Sequence, residues 1–523
     1  MEIGGRTSRF PSCDSVFGNY KTMKYTSTRG GVSGLSFEDA LFSGFAPDGG
    51  LFFPETIPQI APETLGEWRE AKLTYREVVM KVVRLFVTPD EIPDETLELC
   101  VARAYAKFFH SSVINFHSLR ETGAQTGSAS VTLDSQSAPA NLKEDSRTSL
   151  VKVAELFHGR TGSFKDLALS LVGQFMEYFV NKRKRHVTIL IGTSGDTGSA
   201  AIEAVRGMPG VDIVVLFPGG KVSPVQELQM LTVQDENVHV FQIEGTSDDT
   251  DVVIKQCFPQ DGLTSCNSVN WARVMIQSAH FVYIYLLEGT PTNVIVPTGA
   301  GGNLFGGVLA NRMGVPIKLH LTTNENDSMD ILLRKGTLEM GGEVIQTPAN
   351  AMDIRNPYNV ERIFRVFMDS SSVASIIERA EVEGSSVEIP EEIVSQISKV
   401  IVSSMSVDTD LIYKTIKNCW EENHYMICPH TATALALFNA KFIGDEVQTS
   451  RPREPVYILS TASPLKFPEA SEQLGISVEE WDGHGLLTKL QQLPLKAPKE
   501  MKLGDDWVQI LQNEINSTKY SHM

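Results

Sequence analysis

Three short segments carry side chains whose types and spacing suit chemistry on a bound anion or carbonyl. The first, Ser163-Phe164-Lys165-Asp166, puts a lysine at the start of an apolar helical pattern. The helix dipole disfavours an ammonium there. In a desolvated site beside a strand end the amine's pKa would fall, as Schiff-base chemistry requires. The second, Thr193-Ser194-Gly195-Asp196-Thr197-Gly198-Ser199, sets hydroxyls and backbone donors between a strand pattern and a helix pattern. Such donors suit a carboxylate, although Ser and Thr at a helix start also serve as ordinary caps. The third is Gly299-Ala300-Gly301-Gly302-Asn303. Glycines after a strand let backbone N–H groups converge on an anion at a helix N-terminus. This run is not the dinucleotide fingerprint, since Leu304 stands where its third glycine belongs, and it has no P-loop lysine. Taken singly, each segment has a plain structural alternative: a solvated lysine, a helix cap, a tight turn. The three together point to one site.

The elements that must position them follow from periodicity. From Leu150 onward the chain repeats strand, loop and helix. Short apolar runs at Leu150 to Phe157, Val187 to Ile191, Asp212 to Phe217, Val238 to Ile243, Asn293 to Val296 and Val456 to Leu459 read as buried strands. Leu167, Leu171, Phe175 and Phe179 recur at helical spacing. Strands alternating with helices imply an α/β fold with a largely parallel sheet covered on both faces. Ligands then bind at the carboxyl ends of strands, and each of these polar loops follows one. Before Leu150, residues 23–120 mix turn signals such as Ala46-Pro47-Asp48-Gly49-Gly50 with helix patterns, and residues 121–149 read as a low-complexity insertion. The expected division is an extension over 1–22, an N-terminal domain over 23–120, the insertion, catalytic domains over 150–475 and a helical tail over 476–523.

The chain has 523 residues, too many for one core, with 42% hydrophobic and 21% charged residues. A net charge of −18 argues against nucleic-acid binding. The basic run Lys182-Arg183-Lys184-Arg185 reads as a solvated helix end. Six scattered cysteines without paired spacing suggest reduced thiols, no metal site and an intracellular, cytoplasmic protein. Arg6, Arg9 and nearby hydroxyl residues leave an organellar signal open. No apolar run reaches membrane-spanning length.

The ordered motifs resemble those of threonine synthases, pyridoxal-phosphate enzymes of fold type II (tryptophan synthase β-like). Glu155 to Asp166 (ELFHGRTGSFKD) looks like their cofactor-lysine segment, Thr193 to Ala201 (TSGDTGSAA) their substrate loop, and Val296 to Asn303 (VPTGAGGN) their phosphate loop. MKYTSTRG from Met23, SPVQELQM from Ser223, EGTSDDTD from Glu244, NSVNWARV from Asn267, CPHTA from Cys428 and STASPLKFPEA from Ser460 are also similar. The stretch FEDALFSGFAPDGGLFFPE and the tail GDDWVQILQNEI resemble the threonine synthase-like 2 branch most.

The resemblance implies that Lys165 binds the aldehyde of pyridoxal 5'-phosphate, that Gly299, Ala300, Gly301, Gly302 and Asn303 hold its phosphate, and that Thr461 faces its ring nitrogen. Ser194, Asp196 and Thr197 would contact the substrate carboxylate or the cofactor's ring oxygen. Lys221, Ser223, Asn270 and Arg273 are candidates for the substrate's own phosphate, each with a structural role as the alternative. The branch implies a phospho-lyase acting on O-phosphohomoserine or O-phosphothreonine, as monomer or homodimer. Threonine synthesis and a non-catalytic protein retaining the fold are the alternatives. Arg160, Gly162 and Ser163, beside the lysine, stand where threonine synthases commonly have Pro, a larger residue and Ala.

Overall fold

The computed structural model describes residues 23–119, 151–258, 260–382, 384–443, 454–481 and 486–521. The expected extension over 1–22 and insertion over 121–149 lie outside these residues. Fifteen strands are found among them: β1 (Tyr25–Ser27), β2 (Phe52–Pro54), β3 (Asn115–Ser118), β4 (Val151–Glu155), β5 (Val187–Gly192), β6 (Val211–Pro218), β7 (Val238–Ile243), β8 (Leu263–Thr264), β9 (Thr292–Pro297), β10 (Ile317–Thr323), β11 (Thr337–Glu339), β12 (Ser386–Glu388), β13 (Ile401–Ser406), β14 (Val456–Ser460) and β15 (Lys499–Met501).

Two sheets dominate. One runs β13-β10-β9-β14-β4-β3, parallel except for β3, which pairs antiparallel with β4. The other runs β15-β7-β6-β5-β8 and is parallel throughout. The six strands expected from apolar runs form the middle of both sheets. β5, β6 and β9 are buried along their whole lengths, as sheets covered on both faces require. β10, which lacks a continuous apolar run, is stitched in by a polar side chain. In β10, His320 shares hydrogen bonds with Asn293 (3.0 Å) and Ser403 (2.6 Å) on the neighbouring strands. β13 is serine-rich and lies on an edge, so its pattern is not that of a core strand.

The helix Lys165–Arg183 buries Leu167, Leu171, Phe175 and Phe179, and packs on the helices Asp196–Val205 and Trp271–Glu288. Gly173 permits the closest approach, since a Cβ there would lie 2.5 Å from the Ala204 carbonyl oxygen. The helix ends at Lys184 in the left-handed region (φ 49°). The basic run sits at this end, with Arg183 and Arg185 paired to Glu38 at 2.8 and 3.5 Å. The N-terminal segment packs on the helix Trp271–Glu288, where Trp271 meets Tyr25 and Phe86 at ring distances of 5.8 and 5.6 Å. The C-terminal tail is not helical alone: β15 extends the second sheet, and the helix Trp507–Ser521 packs on Ser247–Cys257, burying Leu511 and Ile515.

Candidate active site

The carboxyl ends of β4, β5, β9 and β14 open on one cleft of about 790 Å³, counting its open mouth. The loop that carries Lys165 is fixed by the loop after β14. Phe164 N donates to the Thr461 carbonyl (2.8 Å) and Ser463 N to the Gly162 carbonyl (2.8 Å). Asp166 clamps the turn from inside by accepting from Thr161 N and Oγ1, both at 2.9 Å. Gly159 makes room for it, because a Cβ there would meet the Asp166 side chain at 2.3 Å.

Lys165 reaches the cleft as a buried amine, 3.1 Å from Asp196 Oδ2 and over the Phe164 ring. Burial depresses its pKa, with Arg273 and Lys466 adding to the effect and Asp196 opposing it. Asp196 does not line the open cleft. Its Oδ1 accepts from Gln226 Nε2 (2.9 Å) and lies 3.2 Å from Lys466 Nζ. Burial pushes this carboxyl up, but the two lysines outweigh it and hold the group ionised well below the usual carboxylate range. The structure therefore places Asp196 against the lysine rather than toward a substrate carboxylate, which its own charge would repel.

Thr193 does the capping in the second loop, its Oγ1 accepting from Gly195 N (3.0 Å) and Gly198 N (2.9 Å). Ser194 and Thr197 line the cleft. So do Thr461, Arg273 and all five residues from Gly299 to Asn303. The glycine loop has no room for side chains: a Cβ on Gly302 would lie 2.6 Å from Ser268 Cβ, and Gly301 has φ +80°. Around it, Asn303 Nδ2, both amide atoms of Gln277 and Arg273 Nε are buried without a hydrogen-bond partner among the described residues. Each unsatisfied buried group costs about 1–3 kcal/mol, so this wall is built for a polar ligand. Arg273 spends its other nitrogens on the Cys266 carbonyl (2.8 Å) and Thr197 Oγ1 (3.4 Å). Among the described residues it forms no carboxylate salt bridge, and burial depresses its pKa. A glycine cradle and a buried lysine amine of depressed pKa fit a phosphorylated aldehyde.

Three of the expected residues are elsewhere. Ser223 is the N-cap of the helix Pro224–Leu231, and its hydroxyl donates to the Lys466 carbonyl (2.6 Å). Asn270 caps Trp271–Glu288, accepting from Ala272 N while its amide donates to the carbonyls of Leu41 and Ser265. Lys221 is exposed and borders a neighbouring depression lined also by Asp248 and Asp249. Arg160 turns outward to Glu203 (3.1 Å), whereas Gly162 (φ +70°) and Ser163 shape the turn before Lys165.

Residue types alone had not singled out Lys466, Gln226, His430 or Asp251. Lys466 and His430 stand inside the motifs STASPLKFPEA and CPHTA, and a lysine enclosed by Leu465, Phe467 and two prolines is a signal of burial. His430 lines the cleft, and burial brings its pKa down to about 3. Ala351 N donates to its Nε2 (3.1 Å), so the neutral ring carries its proton on Nδ1.

Residues 24–105 match the family model described as threonine synthase N terminus, and residues 140–450 that of pyridoxal-phosphate dependent enzymes. The chain belongs to the threonine synthase family. Threonine synthase-like 2 of Rattus norvegicus is 40% identical to it, over 95% of this chain and 97% of the relative. Two solved structures are similar in fold. Pyridoxal-phosphate-bound threonine synthase from Brucella melitensis has a TM-score of 0.78 and 32% identity, covering 95% of this chain and 99% of that one. Yeast threonine synthase has a TM-score of 0.79 and 31% identity, covering 96% and 99%. The family is of fold type II, and its cofactor is pyridoxal 5'-phosphate. Among the described residues of this threonine synthase family member, no helix is long and apolar enough to cross a membrane.

Proposed function

We propose that this chain is a phospho-lyase that eliminates phosphate from O-phosphohomoserine or O-phosphothreonine, giving 2-oxobutyrate, ammonia and phosphate with the uptake of one water. The observation that carries a phosphorylated substrate is Arg273, a buried guanidinium with no carboxylate salt bridge among the described residues, in the same cleft as Lys165. Its planar fork suits a phosphate, and partial desolvation strengthens the attraction. The lyase outcome rests on the likeness to threonine synthase-like 2.

Pyridoxal phosphate, when bound, draws electron density from the substrate's α-carbon. Lys165 would hold its aldehyde. The Lys165 amine, whose pKa burial depresses, would then serve as the base for the α-proton. Gly299 to Asn303 would hold the cofactor's phosphate, and Thr461 would offer a neutral hydroxyl to its ring nitrogen. Ser194 and Thr197 bind the substrate carboxylate. Arg273 compensates charge on the departing phosphate. His430 is fixed as an Nδ1–H donor at the cleft wall.

Threonine synthesis is the second reading, supported by 31–32% identity to solved threonine synthases over nearly the whole chain. Both reactions release phosphate. Product analysis on the two phosphorylated amino acids, following phosphate, ammonia, threonine and 2-oxobutyrate together, separates them. Equal release of phosphate, ammonia and 2-oxobutyrate is expected. Threonine without the 2-oxoacid would replace the lyase by the synthase, and no phosphate release would overturn both. Lys165→Ala is expected to abolish turnover and the visible absorption band of the bound cofactor.

A further inference from the structure

Asp196 lies between two lysines, and the two are not equivalent. Lys466 Nζ spends its three protons on the Thr161 carbonyl (2.8 Å), Gln229 Oε1 (2.7 Å) and Asp196 Oδ1 (3.2 Å). Its side chain is fully buried and does not line the cleft. Lys165 takes only the other oxygen, Oδ2, and faces the cleft. Lys466 thereby ties together the turn before Lys165, the start of the helix Asp196–Val205 and the helix Pro224–Leu231. Ser223 adds a fourth tie by donating to the Lys466 carbonyl (2.6 Å).

We propose that Lys466 is a positioning residue for Lys165: it takes permanent possession of one oxygen of Asp196, leaving the cofactor lysine a carboxylate already half compensated. Two consequences follow. The Lys165 ammonium is less favoured than a private ion pair would make it, so its amine is available at lower pH. When the Lys165 amine turns to another partner, Asp196 keeps a cation and a fixed position, so the start of the helix Asp196–Val205 does not inherit an unpaired buried charge. The groups facing Lys165 are few. Asp196 raises its pKa, while Arg273 and Lys466 lower it, and His430, with a pKa near 3, is neutral. Removing one lysine from a carboxylate shared by two is therefore a large change in the balance.

The inference rests on Lys165 as the cofactor lysine, and not on which substrate is used. That premise is checked separately: borohydride reduction of the holoenzyme followed by peptide mass spectrometry must place the cofactor on Lys165. The inference itself is tested by the pH dependence of Lys165 acetylation in the full-length chain before cofactor is added. Lys466→Met is expected to move the midpoint up by about one unit, slowing labelling near pH 8 about tenfold. Lys466→Arg, which keeps the charge, is expected to stay near the parent. In Lys466→Met/Asp196→Asn one charge of each sign is gone, and the midpoint returns toward the parent. A general loosening of the site would instead leave Lys165 an ordinary exposed lysine in both methionine variants. Should Lys466→Met not fold, Asp196→Asn alone decides, since Lys466 and Arg273 then act unopposed and the midpoint must fall. An unchanged midpoint in Lys466→Met, or an unchanged or raised one in Asp196→Asn, would overturn the proposal.

Discussion

His280 Nε2 lies 2.9 Å from Asn303 Oδ1 in the core beneath the glycine loop. Burial brings the imidazole pKa down to about 3, so the ring is neutral and its single N–H goes to the amide oxygen. That bond fixes the rotation of the Asn303 amide and leaves Nδ2 as the donor with no partner among the described residues. His280→Leu is expected to free the amide and weaken cofactor binding about 5–30-fold, the equivalent of ~1–2 kcal/mol. His280→Gln, which retains a donor, is expected to lose less. Absorbance titration of the cofactor measures both Kd values.

The glycine loop makes a sharper prediction. A Cβ at Gly302 would lie 2.6 Å from Ser268 Cβ, and Ser268 Oγ is bonded to Tyr358 OH and Asn359 Nδ2, both at 3.0 Å. The serine cannot yield without breaking those bonds, so the loop must move instead. Gly302→Ala is expected to weaken cofactor binding roughly tenfold or more, since overpacking costs about 1–3 kcal/mol. The thermal midpoint of the cofactor-free chain should change little by comparison. An equal loss of both would mean that the glycine serves the core and not the cradle.

These two positions mark how far the sequence could be read. Gly302 announces itself, because a run of glycines after a β-branched strand has few uses. His280 does not, because a histidine inside the apolar helix Trp271–Glu288 has no signature separating it from a core residue. The same divide runs through the site. Arg273 follows a legible motif and reaches the cleft. Ser223 and Asn270 are equally well placed in their motifs but face backbone groups at helix starts, where Ser and Asn cap most readily. The central strands were legible from continuous apolar runs. β10 and β13 were not, since their polar side chains are satisfied across the sheet by partners distant in sequence.

Arg273 should trade stability for activity. Among the described residues its buried charge forms no carboxylate salt bridge, and its Nε has no hydrogen-bond partner. Arg273→Met is expected to lower kcat/KM by roughly 10–150-fold, the loss of a charge-assisted hydrogen bond worth about 1.5–3 kcal/mol. The ligand-free chain should melt no lower than the parent, because the change removes an uncompensated charge from the interior. Inorganic phosphate should raise the thermal midpoint of the parent and not of the variant. A variant that still responded to phosphate would place the anion elsewhere.

Asp251 gives a pH dependence with a definite sign. It lines the cleft near Asp248, and burial, reinforced by that neighbouring carboxylate, pushes its pKa up to about 8, against a hydrogen bond from Asn267 Nδ2 (3.3 Å). The unfolded chain releases this proton in the usual carboxylate range, whereas the folded chain keeps it until about pH 8. Between those limits the folded state binds more protons, so this group's contribution to stability falls as pH rises, by at most about 1.4 kcal/mol per unit. Below the usual carboxylate range and above the folded pKa the contribution is flat. Asp251→Asn lacks the titration and keeps the shape. Its thermal midpoint, measured without cofactor, is expected to gain on the parent's as pH is raised from about 5 to about 8. A difference between the two proteins that stayed constant over that window, or shrank, would show that the folded chain ionises Asp251 as readily as the unfolded one.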